Sequence, residues 1–211
     1  MTKGRPWTKA EVRSYADDLT AVTIPVNVRI EGRQKVLSFP QVEKILRNAE
    51  VITLADCLCR VRVKGCDRPI DVCLYLDAEG REMIENRSAK RVTLKQALDV
   101  LRRTNEAGLV HMSFTNKGEK DPIYICGCCA CCCHSFAAIQ RFGFSDAIIS
   151  AEMIAAQDDE LCDDCGVCVE RCQFRARMMD GDRLVFERGR CSGCGLCVTS
   201  CPSDAISLVR R

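Results

Sequence analysis

No surplus of charge of either sign marks this chain. Its 31 basic residues stand against 29 acidic ones, a formal +2 at pH 7, which leaves no broad field for nucleic acid or for a membrane surface. The first residues, MTKGRPWTKAEVRSYADDL, contain neither an apolar core of signal-peptide length nor a twin-arginine pair. No later stretch approaches the roughly 20 apolar residues that a membrane span needs. The expectation is a cytoplasmic protein with no direct membrane insertion and no nucleic-acid partner. Also missing are a paired nucleophile and base, a glycine-rich phosphate loop and a nucleotide fingerprint. LDAEG at 76–80 reads as an ordinary turn.

Cysteine, by contrast, is abundant: 18 in 211 residues. In a reducing cytosol so many thiols point to metal ligation rather than to a disulfide framework. They fall in three places. Cys57, Cys59, Cys66 and Cys73 form a spaced group. Cys126, Cys128, Cys129, Cys131, Cys132 and Cys133 crowd into ICGCCACCCHSF, and eight more occupy the carboxyl-terminal 50 residues.

Between these groups the pattern is that of an ordinary α+β protein. Thr8 with Glu11, Ser38 with Gln41 and Thr93 with Gln96 are candidate capping boxes, the last opening a helix through Leu94, Ala97, Leu98 and Leu101 to a stop at Gly108. VTIPVNVRI reads as extended, with Pro25 favouring an edge position, and VITLA reads as a strand leading into Cys57. LVHMSFT and PIYIC flank NKGEKD as a hairpin that runs into the thiol cluster. SFAAIQRF and DAIISAEMIAA look helical, and QDDE at 157–160 resembles a linker. The resulting division is a small mixed cysteine-rich domain over 1–156 and a tail over 157–211.

The tail is internally duplicated at a period of 29 residues. Cys162, Cys165, Cys168 and Cys172 recur as Cys191, Cys194, Cys197 and Cys201, Gly166 recurs as Gly195, and Ala176 as Ala205. Each run is C-x-x-C-x-x-C-x-x-x-C. The tight loop can present three sulfurs to one iron–sulfur cube while the fourth points away, and the adjacent glycines let backbone amides approach the inorganic sulfurs. Zinc needs neither the fourth cysteine nor the duplication.

Over about 160–209 the chain resembles the bacterial two-cluster 4Fe-4S ferredoxins. That resemblance implies two 4Fe-4S clusters, one on Cys162, Cys165, Cys168 and Cys201, the other on Cys191, Cys194, Cys197 and Cys172. The second run ends in Cys201-Pro202 as that family expects. The first has Gln173 where proline is usual, a departure that bears on turn geometry and potential rather than on ligation.

The ten remaining cysteines exceed the four ligands of one cube. Neighbouring side chains in an extended run face opposite ways, so CGCCACCC is expected to commit a subset of its sulfurs, with Gly127 and Ala130 as small breaks. Iron–sulfur ligation, a zinc or copper site, and free redox thiols are all open to these residues; Cys57, Cys59, Cys66 and Cys73 could form one cube on their own, or Cys57 with Cys59 could share a centre with 126–133. Arg60, Arg62, Lys64 and Arg68 interleave with the first group, either to stabilise thiolates or as a solvated basic loop. His134 follows the run directly, while His111 reads as scaffold. DCLCRVRVKGCDRPIDVCLYL, AGLVHMSF and YICGCCACCC together resemble a group of cysteine-rich 4Fe-4S binding proteins of anaerobes, which implies one or more additional iron–sulfur clusters in the amino-terminal domain.

These features lead to the expectation of an electron-transfer protein, a subunit or dedicated partner of an anaerobic oxidoreductase complex, in which the tail exchanges electrons with an amino-terminal centre. A reductase acting at that centre, or a redox sensor, is the alternative.

Overall fold

In a computed structural model of the chain, residues 4–31 and 34–211 are described. The elements in chain order begin with α1 (Lys9–Asp18), β1 (Leu19–Thr23), β2 (Asn27–Glu31), β3 (Gln34–Ser38), α2 (Pro40–Asn48), β4 (Ile52–Asp56), α3 (Leu58–Val63), β5 (Asp71–Leu76), α4 (Asp77–Glu85) and β6 (Ala89–Arg91). They continue with α5 (Leu94–Glu106), β7 (Val110–Asn116), β8 (Tyr124–Cys128), α6 (His134–Arg141), β9 (Met153–Gln157), α7 (Val167–Arg171), β10 (Arg177–Asp180), β11 (Arg183–Phe186), α8 (Leu196–Ser200) and β12 (Ile206–Arg210). The fold is α+β.

A six-stranded antiparallel sheet in the order β1-β7-β8-β5-β4-β6 carries the amino-terminal part. Its strands read as they do because both faces are covered: β7 is buried along Val110–Thr115 and β4 along Ile52–Ala55. On one face lies α5, which starts where the sequence indicates. Thr93 Oγ1 accepts the Gln96 amide at 3.3 Å, and the Gln96 side chain accepts the Thr93 amide at 2.8 Å. Ala97, Val100, Leu101 and Thr104 form its buried stripe, and Gly108 at φ +70° releases the chain into β7. The other face is where β8 and β5 present their cysteines.

Two capping boxes, Thr8 with Glu11 and Thr93 with Gln96, form. The third does not: α2 is capped by Phe39 with Pro40 at its first position, and Ser38 ends β3. LDAEG is not a turn but the opening of α4, where the Asp77 carboxylate accepts the Glu50 amide at 2.7 Å. The segment expected to continue as helix around Met153 is strand β9, paired antiparallel with β12 from Met153↔Arg210 to Gln157↔Ile206. Its partner lies some 50 residues downstream, and a local pattern of Ile and Ala cannot show a distant hydrogen-bonding edge. VTIPVNVRI is not one extended segment: its first two residues end the edge strand β1, Pro25 lies in the connection, and Asn27 begins β2.

The duplicated tail is duplicated in shape as well. Gly166 at φ +73° and Gly195 at φ +79° each open a five-residue helix, α7 and α8, and Cys172 and Cys201 each close one. Among the described residues no helix is long and apolar enough to cross a membrane.

Candidate metal centres

The crowded run ICGCCACCC is resolved by where a strand ends. Within β8, Cys126 and Cys128 point to one face and Gly127 to the other, where a Cβ would come within 2.9 Å of the Thr104 methyl. Gly127 is thus the place where α5 lies against the sheet rather than a break in the run. After Cys128 the chain turns: the Cys132 and Cys133 amides donate to the Cys129 carbonyl at 3.3 and 3.0 Å. Cys133 then becomes the N-cap of α6. Three thiols lie on the strand and helix cap, and three lie on the turn.

The turn thiols meet Cys66. The sulfurs of Cys66, Cys129, Cys131 and Cys132 all lie within 4.8 Å of one another, with Cys66 at 3.9 Å from Cys129 and 4.0 Å from Cys132. Gly65 permits this approach, since a Cβ there would sit 3.0 Å from the Cys131 carbonyl and 3.1 Å from the Cys132 sulfur. Four convergent thiols on two loops, one of them exposed, are a donor set suited to a thiophilic metal or cluster. The Cys131 hydrogen bond holds Cys129 down to about 5 against the push of burial, and the Arg60 charge adds to the effect.

Arg60 is only 2% exposed. Its Nη2 donates to the Gly127 carbonyl at 2.9 Å and its Nη1 reaches the Cys129 sulfur at 3.5 Å. Of the four basic residues in that loop, Arg60 is therefore a buried cation among sulfurs. Arg62 turns outward instead, donating to Glu11 at 2.7 Å and stacking 3.8 Å over the Trp7 ring. Trp7 in turn donates from Nε1 to the Cys132 carbonyl at 2.8 Å, so the first turn of the chain braces the sulfur turn. His134 is buried and stacks on Tyr15 at 4.4 Å, with its Nδ1 3.3 Å from the Ser135 hydroxyl.

The other amino-terminal cysteines, Cys57, Cys59 and Cys73, gather with Cys126, Cys128 and Cys133. Cys73 faces Cys126 in the β5–β8 register, their sulfurs 2.6 Å apart. Hydrogen bonds from Cys59 and Cys73 hold Cys57 down to about 3.

In the tail, Cys172, Cys191, Cys194 and Cys197 line one small cavity of about 20 Å³. Burial pushes the Cys197 thiol up to about 11 and raises that of Cys194. The Cys162 sulfur lies 4.0 Å from an Asp164 carboxylate oxygen. Arg177, buried, reaches the Cys168 sulfur at 4.0 Å, and its charge also acts on Cys197.

The tail is fastened to the sheet domain beside these thiols. Gln173, at the position of the expected proline, is buried. Its carbonyl oxygen accepts the Ala130 amide at 3.0 Å and its amide donates to the Gly108 carbonyl at 3.1 Å. Arg171 donates to the Glu106 and Asn105 carbonyls at 2.8 and 2.6 Å, closing the last turn of α5. Phe174 packs on Phe136 at 4.8 Å, and the Val26 amide donates to the Cys194 carbonyl at 3.0 Å. Sequence reasoning noted Gln173 only as a departure. A residue with an amide in place of a ring lacking N–H was the available signal.

The molecule is thus an antiparallel-sheet protein that gathers ten thiols on β5, on β8 and in the adjoining segments and joins them to a duplicated cysteine tail, which defines a polythiol metal protein. Residues 161–205 match the family described as 4Fe-4S dicluster domain. This supports iron–sulfur electron transfer of the ferredoxin type for the tail. A search of the curated proteins finds no match to the chain.

Proposed function

We propose that this chain is an iron–sulfur electron-transfer protein, a subunit or dedicated partner of an anaerobic oxidoreductase complex, working in the cytoplasm. In this reading residues 1–156 and 157–211 are its two functional parts. Cys162, Cys165, Cys168 and Cys201 hold one 4Fe-4S cluster, Cys191, Cys194, Cys197 and Cys172 hold a second, and Cys66, Cys129, Cys131 and Cys132 hold an additional amino-terminal centre. Clusters held in this way supply one-electron carriers whose potentials depend on hydrogen bonds and exposure.

One observation carries the reading: Gln173, directly after Cys172, is hydrogen-bonded to Ala130, which sits between Cys129 and Cys131. A residue adjoining a tail ligand is thereby in contact with the amino-terminal sulfur turn. The chain's own side chains provide what such a pair of sites requires. Arg60 and Arg177 place buried positive charge beside the thiols, and Trp7 and Tyr15 line the cavity that Cys129 and Cys132 adjoin. With a formal charge of only +2, docking to a redox partner rests on a local surface rather than on long-range steering.

The test is Cys194→Ser in full chain prepared without oxygen. It is expected to abolish one tail signal in the reduced EPR spectrum and to slow electron delivery from a small donor protein to the amino-terminal centre, whose own spectrum is retained. An unchanged delivery rate would count against the reading.

A further inference from the structure

With Cys66, Cys129, Cys131 and Cys132 assigned to the four-sulfur group, six amino-terminal cysteines remain, and they form a closed circuit. The Cys73 and Cys126 sulfurs lie 2.6 Å apart, and electrostatic influence links the others in order: Cys57 with Cys59 and Cys73, Cys59 with Cys133, Cys133 with Cys128, and Cys128 with Cys126. They arrive from separate segments: the end of β4, the first turn of α3, the middle of β5, alternate positions of β8 and the cap of α6. The β5–β8 register and the strand's two-residue period put Cys73, Cys126 and Cys128 on the face away from α5.

All six line a cavity of about 250 Å³, with Cys129 and Cys132 at its edge and Trp7, Tyr15, Tyr75, Phe114 and Tyr124 among its other walls. If these were simply small apolar residues filling a core, the space between them would be closed by neighbouring aliphatic side chains, because interiors pack densely. The space is open instead. It is smaller than the roughly 300–1,000 Å³ usual for an organic ligand, and its donors are sulfurs. A compact inorganic occupant fits both facts. Six ligands are also more than the four used by a tetrahedral zinc ion or by one cube.

The geometry points to a second amino-terminal metal centre, an iron–sulfur cluster larger than a single cube, held by Cys57, Cys59, Cys73, Cys126, Cys128 and Cys133. Arg60, which lines the cavity of the six and reaches the Cys129 sulfur of the four-sulfur group at 3.5 Å, is the buried positive charge that the two centres share. The inference rests on the iron–sulfur reading above only for the choice of iron among thiophilic metals. The six-thiol site shares its cavity wall with Cys129 and Cys132 of the four-thiol group, while Cys66 and Cys131 lie outside that cavity.

The experiment is the iron and acid-labile sulfide content of full chain made and purified without oxygen from iron-replete cells, read together with its Mössbauer spectrum. The expected total exceeds about sixteen irons per chain: about eight for the tail, about four for the four-sulfur group, and more than four for the circuit. Cys59→Ala and Cys128→Ala should each remove more than about four irons and leave the tail EPR signals in place, whereas Cys131→Ala should remove about four. A wild-type total of about twelve or fewer overturns the second centre, and this result stands even if the circuit variants fail to fold. Retention of all iron in Cys59→Ala and Cys128→Ala, loss of no more than about four irons, or stoichiometric zinc overturns it too. Full iron retention by Cys131→Ala sinks the four-sulfur assignment alone.

Discussion

Gln173 Oε1 accepts the backbone amide of Ala130 at 3.0 Å, across the boundary between the duplicated tail and the sheet domain. Because the same side chain also donates to the Gly108 carbonyl, it satisfies one donor and one acceptor that have little access to water. Gln173→Ala leaves both unpaired, at a cost of about 1–3 kcal/mol for each buried group. The expected result is a lower unfolding midpoint in denaturant and slower exchange between tail and amino-terminal centre, with tail iron retained. Gln173→Pro restores the usual ferredoxin residue but not the bonds, so it should behave like the alanine variant in exchange rate. Wild-type exchange in both would remove Gln173 from the argument.

The second ferredoxin loop is locked against the segment after β1. Gly195 has φ +79°, and a Cβ there would lie 1.7 Å from the Val26 carbonyl oxygen. Gly195→Ala therefore combines left-handed strain with displacement of the Val26 backbone, which bonds to the Cys194 carbonyl. A destabilisation of at least about 2 kcal/mol is expected, measured by denaturant unfolding. Gly189, with open space where its Cβ would be, supplies the control: Gly189→Ala should change stability by less than about 0.5 kcal/mol.

His111 gives the fold a defined acid sensitivity. Thr104 donates its hydroxyl to the Leu101 carbonyl at 2.9 Å, so it accepts from His111 Nε2 at 2.6 Å. Nδ1 is buried with no partner among the described residues. Burial lowers the imidazole from 6.5 to about 4. The unfolded chain thus takes up the proton first, and stability is full above about pH 6.5 and is lost as pH falls toward 4, by about 3 kcal/mol in total. Denaturant titrations at pH 7 and pH 4.5 should show this loss in the wild type and a smaller one in His111→Gln. Equal slopes would refute the assignment.

Arg60→Met removes the buried cation between the amino-terminal sulfurs. A reduced centre carries more negative charge than an oxidised one, so its potential should fall. The expected shift is on the order of 100 mV, from about 2 kcal/mol at an effective dielectric near 20. EPR-monitored redox titration reads it, and an unshifted amino-terminal potential would show that Arg60 serves packing alone.

The tail ligands could be read from spacing because the two runs are local: each places its thiols within eleven residues, and glycine marks the helix that follows. The long helix α5 was legible for the same reason, through a cap, a periodic stripe and a stop. What could not be read were relations between distant segments. Nothing local pairs Met153 with Arg210, and nothing in CGCCACCC says that the strand ends at Cys128, which is what separates Cys126 and Cys128 from Cys129 and Cys131. Cys66 meets that turn only because the sheet brings β5 beside β8. Arg60 looked like one of four loop cations, and only its burial distinguishes it.

The lock between Gly195 and Val26 has a kinetic consequence. A ferredoxin half that is interleaved with its neighbour through backbone contacts does not dissociate to find a second partner. In the proposed relay, passage of an electron between the halves is then expected to be first order at fixed separation, with a rate that dilution does not change, so that only an encounter with an external donor or acceptor would depend on concentration.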